Sequence, residues 1–156
     1  MKLVLVKSVY EAFEYVMQHY APIGGEEQRQ RSDKYAVISI QDSIAGGFGV
    51  RFTENDFCTG ALTLLFDDIE QETEGAALFS EAQADSIIDF IRSHRQSADT
   101  LLVNCCEGQR RSRAVGAFAA RMLGEDFEKV LSRSPANMFV FDLLCDRWIK
   151  RTLLGN

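Results

Sequence analysis

Short apolar runs alternate along this chain with stretches in which apolar residues recur every three or four positions, the pattern of strands followed by amphipathic helices. Lys2 to Val6 reads as a short strand. Ser8 then caps a helix running to about His19, with Val9, Ala12, Phe13, Val16 and Met17 on one face. Residues 22–34 read as a polar loop. Tyr35 to Ile40 (YAVISI) is unbroken and β-branched, as expected of a central strand covered on both faces. A run of turn formers follows, and Phe48 to Phe52 reads as a short strand or an edge hairpin. Ala61 to Phe66 (ALTLLF) is another buried-strand run, ended by Asp67 and Asp68.

Ser80 and Gln83 match the capping box, with Phe79 as the hydrophobic staple, so a helix starts there. It extends to about Arg95 and buries Ala84, Ile87, Ile88 and Ile91. Thr100 to Val103 is the last core strand, followed by NCCEGQRRS and the small-residue helix AVGAFAARML. Two further helices are predicted near 125–132 and 136–153. The alternation predicts an α/β fold, a central, mostly parallel sheet flanked by helices, in a single domain spanning 1–156. Ligands in such sheets bind beyond the carboxyl ends of the strands. The Asp67-Asp68 pair and the Cys105 loop both sit at such ends.

Composition narrows the partners. A formal charge of −6 disfavours nucleic acid and anionic membrane, both of which call for a basic face. No segment has the length of a secretory signal core or of a membrane span, so a cytoplasmic location is expected. Cys58, Cys105, Cys106 and Cys145 have no zinc-ligand spacing. An adjacent Cys105–Cys106 disulfide would be strained, which implies a reducing compartment. No metal or cofactor is expected. The stretch Gly46-Gly47-Phe48-Gly49 lacks the lysine and spacing of a nucleotide loop and reads as a turn.

The chemistry concentrates in Asn104 to Ser112. Between a strand and a helix, loop amides and the helix N-terminus converge to form an anion site. Gly108 permits the tight curl. Arg111, in Cys-x5-Arg spacing, can hold two phosphate oxygens bidentately. The same positive surroundings favour the thiolate of Cys105, a nucleophile suited to phosphorus. Ser112 can donate a hydrogen bond to that sulfur and improve it as a leaving group. Cys106, Glu107, Gly108, Gln109 and Arg110 surround the anion as the substrate-binding set. Register excludes Cys106 as the nucleophile, because the arginine spacing then falls on Ser112. Cys106 is either a small semi-buried side chain or a redox partner for Cys105. Arg110 and Arg113 flank the site, either attracting anions or simply solvated.

This segment resembles the phosphate-binding signature of cysteine-dependent protein tyrosine phosphatases, His-Cys-x-x-Gly-x-x-Arg-Ser/Thr, with Cys105, Gly108, Arg111 and Ser112 on its defining positions. The flanks DTLLV and AVGAFAARML, together with LLFDDI and FSEAQADSIIDFIRSH, look similar to compact bacterial dual-specificity phosphatases over roughly residues 35–123. One position departs: the family's histidine before the nucleophile is Asn104, which can donate a hydrogen bond but brings no charge. The resemblance implies hydrolysis of phosphate monoesters on a phosphorylated protein or small phosphoester, through a phosphocysteine.

Such a reaction benefits from a proton donor to the leaving oxygen. The resemblance places an aspartate at the end of the ALTLLF strand and favours Asp68 over Asp67. Side by side, the two like charges are expected to raise one pKa. Two rivals stay open: a pseudophosphatase that binds phosphate with little turnover, with Asn104 as its clue, and a thiol-based transferase or arsenate reductase sharing the Cys-x5-Arg loop.

Overall fold

The computed structural model describes residues 1–20, 31–44, 47, 49 and 51–155. Four strands, β1 (Leu3–Ser8), β2 (Tyr35–Gln41), β3 (Cys58–Leu65) and β4 (Thr100–Cys105), form one parallel sheet in the order β1-β4-β2-β3. Every residue of β2 and β4 is buried. These two inner strands are covered on both faces, and that is why their sequences are apolar without alternation. The pairing Ser8↔Cys105 and Ser39↔Asn104 brings three strand ends to one edge of the molecule.

Five helices flank the sheet among the described residues: α1 (Val9–Tyr20), α2 (Glu81–His94), α3 (Arg111–Met122), α4 (Phe127–Leu131) and α5 (Met138–Leu154). Helix α1 covers one face, where Ala12 and Tyr20 meet Tyr35, Val37 and Leu102. Helices α2, α3 and α5 cover the other, closing on Ile38, Leu101, Val103 and Phe118. Ser80 accepts from Gln83 N at 3.2 Å while the Gln83 side chain accepts from Ser80 N, so the predicted capping box starts α2. Ser8 and Glu11 make the same reciprocal pair at the start of α1.

Two expectations are corrected here. Met17 was placed on the buried face of α1, yet it is exposed, because Tyr20 at the helix end takes the inward place against Tyr35 and Phe57. Phe52 belongs to no strand; it stacks on Phe13 of α1, with centroids 4.2 Å apart, within the crossover that a parallel β2–β3 pair requires. Residues 48 and 50 of the predicted strand or hairpin, 46 and 48 of the Gly46–Gly49 turn, and 22–30 of the polar loop lie outside the described residues. No helix among the described residues is long and apolar enough to cross a membrane.

Candidate active site

Cys105 is the last residue of β4, its side chain buried on the α3 side of the sheet. Its Sγ lies 3.0 Å from Ser112 Oγ in the first turn of α3. Helix α3 begins with Arg110 at the N-cap, which makes no side-chain capping bond. The amides of that first turn are therefore left to another acceptor, the arrangement that binds anions.

Gly108 shapes the loop for two reasons. Its φ is +70°, and a Cβ there would stand 2.3 Å from Ser8 N and 2.5 Å from Lys7 C, both backbone atoms of β1. The loop is thus pressed against the neighbouring strand end with no room for a side chain. Gly108→Ala is expected to cost about 2–3 kcal/mol, lowering Tm by about 5–10 °C in a chain of this length. A melt unchanged from wild type would show that the loop does not need this approach.

Arg113 straps the loop from outside. Its Nη2 donates to Gly108 O at 3.4 Å and its Nε to Ser134 Oγ at 2.6 Å, while Ser134 donates to Gln109 O at 3.0 Å. In a trans peptide the C=O and N–H point in opposite directions. Carbonyls held outward at Gly108 and Gln109 turn the next two amides, of Gln109 and Arg110, toward the inside of the loop. Neither of the two sequence-based alternatives for Arg113, attracting substrate or mere solvation, describes this contact.

Arg111 is 5% exposed. Its Nη1 donates to Phe66 O at 2.7 Å and pairs with Asp42 Oδ1 at 2.7 Å. Both anchors use the same nitrogen, so Nε and Nη2 are the pair positioned to grip two oxygens of an anion.

The two aspartates part company. Asp67 accepts from Ala77 N at 2.7 Å, from Ser43 N at 3.0 Å and from Ser43 Oγ. Burial raises its carboxyl, but these hydrogen bonds and Arg111 outweigh that and hold it below the ordinary value. The like-charge effect expected of the pair therefore does not raise Asp67, which pins the acidic loop instead. Asp68 turns into the cavity, its Oδ2 held by Arg110 Nε at 2.9 Å and its Oδ1 by Asn137 Nδ2 at 2.9 Å.

A group depressed on folding stabilises the protein above the unfolded carboxylate value, about 3.9, and loses that contribution as pH falls through the folded value. Asp67→Asn is accordingly expected to lower Tm at pH 7, with the gap to wild type narrowing as pH falls below about 4. A gap that stays constant as pH falls would show that the carboxylate is not what matters.

Asp42, Asp68, Cys105, Cys106, Glu107, Arg110 and Arg111 line one cavity of about 190 Å³. That is below the roughly 300 Å³ at which pockets for whole drug-sized ligands begin; it suits a single phosphoryl-sized group. Cys106 forms part of its wall, and burial, together with Asp42, pushes its thiol up. Gly108 and Gln109 are not among its lining side chains. Asn104 is fully buried; its Oδ1 accepts from Ser39 Oγ at 3.0 Å, and its Nδ2 has no hydrogen-bond partner among the described residues. The sequence reading missed Asp42, Ser134 and Asn137. Only Asn137 left a signal, as the N-cap of α5 whose Oδ1 accepts from Val140 N, and that signal says nothing of its reach to Asp68.

No family model matches the chain, and no curated protein sequence does. Solved structures do. Human DUSP28 aligns over 97% of this chain and 94% of its own, with 17% identity and a TM-score of 0.52. PTPMT1 in complex with PI(5)P aligns over 99% and 95%, with 11% identity and a TM-score of 0.54. Human tyrosine phosphatase-like serine/threonine/tyrosine-interacting protein aligns over 81% and 86%, with 14% identity and a TM-score of 0.52. The likeness is one of fold, and it lends nothing to a specifically bacterial relation.

Proposed function

From the dual-specificity phosphatase fold of this chain as premise, we propose that it hydrolyses phosphate monoesters through a phosphocysteine on Cys105. The observation that carries this is the convergence of Cys105, Arg111 and Asp68 on one phosphoryl-sized cavity beside an uncapped helix N-terminus. In the first step the Cys105 thiolate attacks phosphorus in line. The S–P bond forms as the ester P–O bond breaks, and Asp68 gives its proton to the departing oxygen. Inward amides and Arg111 Nε and Nη2 hold the equatorial oxygens, where charge is spread in the transition state. In the second step Asp68 takes a proton from water, the water oxygen bonds to phosphorus, and Ser112 donates to the sulfur as it leaves. Loop amides and guanidinium supply the positive charge, so no step calls for a metal.

Arg110 has a part in both states. Its pair with Asp68 is partly exposed, and pairs of that kind are weak. An arriving phosphate competes for Arg110 and frees Asp68 Oδ2 to carry a proton. The expected substrates are phosphorylated proteins or small phosphoesters. Because one fold neighbour is described in complex with PI(5)P, a phosphoinositide belongs in the substrate panel as well.

Asn104 favours a second reading, a phosphate-binding domain with little turnover, since it brings no charge to the base of the loop and its amide N–H₂ finds no partner among the described residues. Steady-state hydrolysis of p-nitrophenyl phosphate in chelator separates the two. Turnover that orthovanadate inhibits competitively supports catalysis. Vanadate binding without turnover above buffer would leave only the binding domain.

A further inference from the structure

A second cavity, of about 310 Å³, lies between the open edge of the sheet at β1 and helix α4, and it shares no lining residue with the catalytic one. Lys2, Arg113, Lys129 and Arg133 line it, together with two carboxylates, Glu125 and Asp126. Asp126 is already engaged as the N-cap of α4, its Oδ1 accepting from Lys129 N at 3.2 Å. None of the four cations takes part in an ion pair with a carboxylate of the described residues. In a chain of net charge −6, their gathering around one groove opposes the overall charge.

Arg113 is the least comfortable of them. It is half-buried and all its bonds go to neutral acceptors, Val130 O, Gly108 O and Ser134 Oγ. Burial and, less, the nearby Arg133 disfavour its charged form, while Cys105 favours it. An anion in the groove would add the close counter-charge that this partly buried guanidinium lacks there.

We propose that this groove is a second anion site, taking a small free polyanion with two or more phosphate groups between Lys2, Lys129, Arg133 and the guanidinium of Arg113. Four cations against two carboxylates leave the groove with a net charge of about +2, which calls for a multiply charged anion. The volume stands at the lower limit of small-molecule pockets, roughly 300–1,000 Å³. The protein's net negative charge repels an extended polyanion such as nucleic acid. Among the residues lining this groove only Leu3 is a large exposed apolar side chain, which argues against a lipid surface as the source of the phosphates.

Inorganic pyrophosphate, titrated at constant ionic strength into ¹⁵N-labelled protein, tests the site apart from catalysis. Amides of residues 2–6 and 125–134 report the groove, and those of 105–112 report the phosphate loop. Saturable shifts at the groove amides are expected in wild type and also in Arg111→Ala. The double substitution Lys129→Gln, Arg133→Gln removes two exposed side chains, so folding should survive. It should weaken binding at the groove amides by about tenfold or more, while the loop amides still respond. Groove shifts that fail to saturate, that survive the double substitution, or that vanish in Arg111→Ala would overturn the proposal. So would binding to phosphoinositide vesicles with no response to pyrophosphate.

Discussion

Cys105→Ser is expected to lower kcat for p-nitrophenyl phosphate by about 10⁴-fold or more, with the protein still folded and still binding vanadate. The substitution exchanges one small buried atom for another beside Ser112 Oγ, so packing at the end of β4 changes little. What changes is the nucleophile, because an alcohol is not ionised at neutral pH whereas a thiol in positive surroundings can be. Arg111 keeps both anchors, Phe66 O and Asp42, and the uncapped start of α3 is untouched, so anion binding survives. Steady-state kinetics with a parallel vanadate titration measure both halves. A variant within tenfold of wild type would remove Cys105 from the chemistry.

Asp68→Asn is expected to cost about 10²–10³ in kcat for phenyl phosphate and far less for esters whose leaving group needs no proton. That dependence on the leaving group separates a proton donor from a residue that merely shapes the cavity. Asn137→Ser gives a graded comparison. It keeps a helix-capping oxygen for Val140 N but removes the amide that holds Asp68 Oδ1. A loss of about tenfold is expected, with the same leaving-group dependence; because the buried Asn137 amide also donates to Ile69 O, the melt falls by a few degrees as well. If Asp68→Asn slowed every ester equally, its role as acid would fall. Asp67→Asn is expected to affect stability more than leaving-group dependence, because both its oxygens are spent on Ser43 and Ala77.

These residues show how far local pattern carries. The strands around YAVISI and TLLV and the capped helix at Ser80 were legible because their signals lie in residues adjacent in sequence, and apolar run length and capping chemistry act over a few positions. The loop from Cys105 to Ser112 was legible for the same reason. Glycine, arginine and serine at set intervals between a strand and a helix curl into one pocket by local geometry, and Cys105, Arg111 and Ser112 do come together. The buried face of α1 was misread at its end. Met17 and Tyr20 both fit the helical spacing, and only the partners Tyr35 and Phe57, from other elements, put Tyr20 inside.

The choice between Asp67 and Asp68 lay beyond the sequence by itself. Past the strand end no regular alternation sets side-chain direction, and which aspartate meets the cavity depends on Ser43 and Ala77 capturing the first and on Arg110 and Asn137 holding the second. Arg113 was a flanking charge in sequence and is a strap across the outer face of the loop in space. Asp42, Ser134 and Asn137 come from three separate segments that carry no sign of one another in the chain. The sequence alone therefore determined the α/β class and the curl that sets Cys105 beside Arg111 and Ser112, because those rest on interactions between residues close along the backbone. Which carboxylate faces that loop, what aims its arginine and where a second basic groove opens were decided only when distant segments packed together, since side-chain direction at a loop or a strand edge is set by its neighbours in space.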